Sequence, residues 1–122
     1  MTTVLVVSSR DFVLDRDVSP HMEVVGRTGD PQHGIDLAER LQPEVIVWAQ
    51  QARPADIRDL RRAAADSAIL VLGPRERWWE LEGAVDAGAD GYATDATPLD
   101  ATIRAFETAR RPRPPRRDVR TH

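Results

Sequence analysis

The sequence predicts an α/β domain built on a doubly wound parallel sheet with helices on both faces. Short β-branched runs alternate with amphipathic helical segments along residues 1–109, the pattern of repeated βα units. One run, residues 44–49, has the continuous apolar character of a strand buried on both faces. The chain has 122 residues, of which 41% are apolar, enough for one unit with its own core.

The first strand falls on residues 3–7, and a helical pattern over residues 11–19 follows it. A second strand covers residues 23–27. Asp30 is a good N-cap ahead of Pro31 at the first helical position. Ile35, Ala38 and Leu41 then recur on one face until Gln42 and Pro43 stop that helix. After the third strand, Pro54 opens a helix reaching about Ala65. Its buried face carries Ile57, Leu60 and Ala64, and Arg58, Asp59, Arg61 and Arg62 form its solvated side.

Residues 68–72 supply the fourth strand. Trp78, Leu81 and Val85 share a face of the fourth helix, which ends at Gly88. Adjacent helical residues point about 100° apart, so Trp78 and Trp79 cannot both face inward, and Trp79 is assigned to the outer surface. The fifth strand spans residues 90–93. Thr97, Pro98 and Asp100 then mark the start of a fifth helix carrying Leu99, Ile103 and Phe106 on one face.

Beyond residue 109 the composition changes. Residues 1–109 hold 11 Arg against 19 Asp and Glu, whereas residues 110–122 hold six Arg, one Asp and three Pro, for a net +5. That segment cannot build a core and is expected to be an extended or disordered tail or linker. Its arginines, with no aromatic residue among them, suit a solvated tail, an acidic partner, or weak and indirect contact with nucleic acid.

Several function classes are excluded. Aliphatic runs such as Val4–Val7 fall far short of the ~20 residues of a membrane span, and no cationic signal head opens the chain. Without cysteine there is no disulfide, thiolate metal site or thiol nucleophile, which fits a cytoplasmic location. All 17 basic residues are Arg, so Schiff-base lysines and Gly-Lys phosphate loops are ruled out. The three histidines, His21, His33 and His122, share no metal-ligand spacing, and the glycines form no dinucleotide-binding loop.

Three stretches carry a family resemblance: Val24-Val25-Gly26 followed by Gly29-Asp30; Leu41 through Val47; and Ala87-Gly88-Ala89-Asp90-Gly91-Tyr92. On these the chain resembles the receiver domain of bacterial response regulators from Thr2 to about Ala109. The resemblance implies strand order 2-1-3-4-5. It also implies a phosphorylation pocket of two acids after the first strand, an acceptor Asp ending the third, Ser or Thr after the fourth and Lys after the fifth.

At the matching positions stand Ser8 and Ser9, Ala49, Gly73, and Thr94 or Asp95. A methyl group has no lone pair with which to attack phosphorus. Serine hydroxyls supply no charge to offset Mg²⁺ dehydration, and no lysine exists to pair with a phosphoryl oxygen. Asp11 reads as a first-turn acid of the first helix rather than a displaced ligand.

The expectation is a degenerate receiver: not an enzyme, with neither metal nor cofactor, independent of phosphorylation and acting in signalling or transcriptional regulation through protein contacts. By resemblance the fourth helix, fifth strand and fifth helix form the face for a protein partner, an output domain or a homodimer, with Trp79, Glu82, Asp86, Tyr92 and Arg104 as contributors. The alternative is a sensor that binds a small ligand in the vacated pocket near Ser8, Ala49 and Gly73.

Overall fold

The computed structural model describes residues 2–8, 22–73 and 78–94. Its strands are β1 (Thr2–Ser8), β2 (Met22–Thr28), β3 (Val45–Ala49), β4 (Ala68–Gly73) and β5 (Gly91–Thr94), and its helices are α1 (Pro31–Leu41), α2 (Pro54–Ala63) and α3 (Trp78–Ala87). All five strands are parallel, in the order β2-β1-β3-β4-β5, as the resemblance implies. The helices expected over residues 11–19 and after Thr97 lie outside the described residues. So do the 109/110 boundary and the Arg/Pro-rich segment.

The steps from β2 to β3, β3 to β4 and β4 to β5 all run the same way across the sheet. Right-handed crossovers therefore place α1, α2 and α3 on one face. Ala38, Ile57, Leu60 and Ala84 from these helices are buried there against Leu5, Val7, Ile46, Trp48, Ile69 and Val71. On the opposite face Val4, Val6, Val45, Val47, Ala68 and Leu70 form a second buried layer. Alternate residues of β1, β3 and β4 thus enter different cores, which is why these strands read as unbroken apolar runs.

α1 begins as its cap chemistry predicts: the Asp30 carboxylate accepts the Gln32 N–H at 3.1 Å, and Pro31 fills the first turn. The helix approaches β1 closely at Gly34, where a Cβ would stand 2.8 Å from Val7 Cγ2. Gln42 ends it in the left-handed region at φ 45°, a conformation that costs a non-glycine residue about 1 kcal/mol or more. Its side chain offsets this by donating to the Glu39 and Ala63 carbonyl oxygens, each at 2.9 Å, so one amide caps α1 and joins it to α2.

Two periodicity assignments are corrected. Leu41 and Val85 are exposed, while Gly34 and Ala38 of α1 and Ala84 of α3 occupy the buried positions. In each case a small residue sets how closely the helix approaches the sheet, and the larger aliphatic flanks the contact. α3 closes at Gly88, φ 132°, with Ala89 N–H bonded to Ala84 O at 3.0 Å and Gly88 N–H to Val85 O at 3.1 Å, the paired pattern of a Schellman cap.

Arg61 is the third correction. Assigned to the solvated side of α2, its side chain is only 26% exposed. Its guanidinium donates to Gly88 O at 2.8 and 3.0 Å, Ser67 O at 2.8 Å, Ala65 O at 3.0 Å and Asp90 Oδ2 at 2.7 Å. The same Asp90 oxygen accepts the Ile69 N–H at 2.7 Å. One cation therefore ties together the ends of α2 and α3 and the beginnings of β4 and β5.

Candidate functional site

In an open parallel sheet, ligands and chemistry collect outside the carboxyl ends of the strands, where the strand order reverses. Here the reversal lies between β1 and β3, because β1 neighbours both β2 and β3. The pocket positions expected from sequence converge on that edge. Ser8, the last residue of β1, is the register partner of Ala49, the last of β3, about one strand spacing of ~4.8 Å away. Gly73, the last residue of β4, pairs in register with Thr94 of β5. Ser9 and Asp95 lie outside the described residues.

Ala49 is part-buried, its methyl group packed against the second core layer. The preceding Trp48 points to the opposite face and is fully buried, its indole N–H donating to Gln51 O at 3.2 Å. That bond fixes the turn leaving β3. The bulk of Trp48 lies in the helix-covered core, on the face opposite to Ala49.

Sequence reasoning passed over Gln50, the residue after Ala49. Its Nε2 is buried and makes no hydrogen bond. A buried donor in that state costs about 1–3 kcal/mol, and such groups concentrate where a protein serves something besides its own fold. The only signal in sequence is a polar residue directly after an apolar strand.

Among the described residues, the donor set at these strand ends does not suit a divalent cation. Mg²⁺ requires hard oxygen ligands, usually including carboxylates, and the described ends of β1, β3, β4 and β5 present Ser8, Ala49, Gly73 and Thr94. Asp30, which follows β2, caps α1. No cluster of three or more His, Asp or Glu residues arranged for a metal occurs among the described residues. His33 of α1 is exposed and its Nδ1 lies 3.1 Å from Thr28 Oγ1.

The expected partner face is partly in view. Trp79 is 58% and Tyr92 40% exposed, and Glu82 and Asp86 are exposed on α3. α3 packs beside β4 and β5, so these residues belong to one side of the domain. Arg104 lies outside the described residues.

A five-stranded parallel sheet in this order, with its crevice at the β1/β3 reversal, defines the flavodoxin-like class of receiver folds. No family model matches the sequence. The nitrate/nitrite response regulator protein NarP of Escherichia coli K12 is 34% identical over 80 residues, covering 62% of this chain and 37% of that protein. The nitrate/nitrite response regulator protein homolog of Haemophilus influenzae Rd is 26% identical over 91 residues, covering 71% of this chain and 44% of the relative. The chain thus spans less than half the length of these curated relatives. The signal receiver domain of the response regulator NarL from Mycobacterium tuberculosis superposes with a TM-score of 0.73 at 17% identity, covering 92% of this chain and 98% of that one. The chain has the fold of response-regulator receiver domains. Among the described residues no helix is long and apolar enough to cross a membrane.

Proposed function

We propose that this receiver domain signals without phosphoryl transfer, as a non-enzymatic cytoplasmic module that acts through protein contacts. The observation that carries this reading is Ala49 at the end of β3, in register with Ser8. Phosphorylation there needs a nucleophilic oxygen, a cation held by carboxylates and a positive group for the phosphoryl oxygens. Ala49 has no oxygen with which to attack phosphorus, Ser8 brings no charge to hold the cation, and the chain has no lysine to meet the phosphoryl oxygens.

The contacts are assigned to the side of the domain formed by α3 and β5, where Trp79, Glu82, Asp86 and Tyr92 are exposed. Large exposed aromatics are enriched at interfaces because they remove much apolar area from water. The curated relatives extend well beyond the aligned stretch, and an output module joined to this domain is the leading partner. A second copy of the domain is the other.

Incubation of the full chain with Mg²⁺ and acetyl phosphate, followed by intact mass measurement, is expected to give no phosphoryl adduct. Recovery of an acyl phosphate on any aspartate overturns the reading.

Gln50 favours a second reading, in which the crevice binds a small molecule whose hydrogen-bond acceptor meets the buried amide. Replacing carboxylates by Ser8 and Ala49 lowers the penalty for placing an apolar group beside it. Concentration-dependent stabilisation by a member of a metabolite panel, lost in Gln50→Leu, is the expected signature. A panel without effect on the melting temperature counts for contact signalling alone.

A further inference from the structure

The entry to β5 carries a dipeptide with a chemistry of its own. Asp90-Gly91 is the only Asp-Gly step in the sequence, and the chain contains no asparagine. Glycine has no Cβ to crowd its peptide nitrogen, so that nitrogen can attack the side-chain carbonyl carbon of the preceding aspartate. A bond forms between Gly91 N and Asp90 Cγ. One carboxyl oxygen leaves as water, taking the proton released by the nitrogen and a second from solvent, and a five-membered succinimide remains. Water then opens the ring and returns a proton to solvent. Opening at the main-chain carbonyl gives isoaspartate, in which the backbone runs through the former side chain and is longer by one carbon. One water is lost and one regained, so mass and charge end unchanged.

The structure commits the Asp90 carboxyl elsewhere. Its Oδ2 accepts Arg61 Nη2 and the Ile69 N–H, each at 2.7 Å. The Asp90 N–H donates to Ile69 O at 2.9 Å, so backbone and side chain of Asp90 both lean on β4. Arg61 cannot follow the carboxyl toward Gly91, because the same guanidinium holds Gly88 O at 2.8 and 3.0 Å and Ser67 O at 2.8 Å. Gly91 is itself fixed in register with Leu70. Ring closure needs the reacting atoms aligned at about 3–3.5 Å, and the carboxyl must first leave both donors, one of them a charge-assisted bond. The Asp90 side chain is 27% exposed, so water for the second step is at hand.

We propose that Asp90-Gly91 is a latent isoaspartate site and that Arg61 is the positioning residue that sets its rate. The reaction is a one-way mark of opening at this corner. The product carboxyl hangs from a different carbon, Arg61 and the Ile69 N–H lose their shared acceptor, and the lengthened backbone shifts β5 against β4. The claim does not depend on whether the domain accepts phosphate.

The full chain is incubated at neutral pH and physiological temperature. Isoaspartate is located by electron-transfer fragmentation of the tryptic peptide of residues 78–104, with isoaspartyl methyltransferase as an independent count. Reaction from a locally opened population should make formation at residue 90 at least about tenfold slower in the folded chain than in the chain unfolded in guanidinium chloride. Arg61→Ala, with its fold verified by circular dichroism, is expected to raise the folded rate about tenfold. Arg61→Lys serves where Arg61→Ala does not fold: an ammonium lacks the fork that spans Gly88 O and Asp90, and a rise of about threefold is expected. Ser67→Ala loses the bond to Pro43 O at the same end of the sheet without touching Asp90, and should stay within about twofold of the parent. Equal rates in the folded and unfolded parent overturn the proposal, as does a folded Arg61 variant no faster than the parent. A rise in Ser67→Ala equal to that in the Arg61 variant ties the rate to stability at large and overturns the role of Arg61.

Discussion

The two ends of the sheet are built differently. At the amino ends of the strands, polar side chains bridge one element to the next. Arg61 spans α2, α3 and β5, Gln42 joins α1 to α2, Ser67 Oγ donates to Pro43 O, and Thr3 and Glu44 exchange backbone-to-side-chain bonds of 3.0 and 3.3 Å. At the carboxyl ends, Ser8, Ala49 and Gly73 offer a hydroxyl, a methyl and no side chain at all. Among the described residues, most of the side-chain bonds that bridge one element to another lie at the end remote from the crevice. The described strand ends at the crevice carry no carboxylate.

The sharpest way to break that comparison is Arg61→Ala. It removes a donor from the Gly88 and Ser67 carbonyls and the cation from beside the Asp90 carboxylate, which keeps the Ile69 N–H, and is expected to destabilise the domain by about 3 kcal/mol. Urea unfolding should show a lower midpoint at unchanged slope. Asp90→Asn keeps an acceptor for the Ile69 N–H and loses only the ionic partner of Arg61. A smaller loss of about 1–2 kcal/mol is expected in the same measurement. Ala49→Asp, at the other end, is expected to change stability by less than about 1 kcal/mol. It should bring no Mg²⁺ heat in calorimetry, since one carboxylate beside Ser8 does not make a site for that ion. If Ala49→Asp destabilises more than Arg61→Ala, the division of labour between the two ends is wrong.

The fold was legible wherever a local rule decides the outcome. Asp30 and Pro31 announce α1 through cap chemistry confined to adjacent residues, and the 44–49 run announces a strand with two buried faces. The strand order needed the family resemblance, because periodicity says which residues face a core and not which strands are neighbours. Arg61 was misread since nothing within its own helix marks it. Its partners Gly88 and Asp90 stand 27 and 29 positions along the chain, and only the crossover brings them near. Leu41 and Val85 were misplaced for a related reason: a helical face is drawn from its large residues, while closeness to the sheet is set by its small ones. At the crevice, Ser8, Ala49 and Gly73 were found by position within the family pattern. Gln50 was not, because an unpaired amide becomes visible only once every neighbour has a place.

One irregularity bears on how copies of this domain meet. The register of β1 against β2 slips between Val4 and Leu5, so that Val24 and Gly26 become successive partners and Val25 is extra on β2. β2 is an outer strand, and Glu23 and Arg27 beside the slip are exposed. A kinked, charged border is a poor template for an incoming strand. Growth into ribbons or fibres is thereby discouraged along that margin.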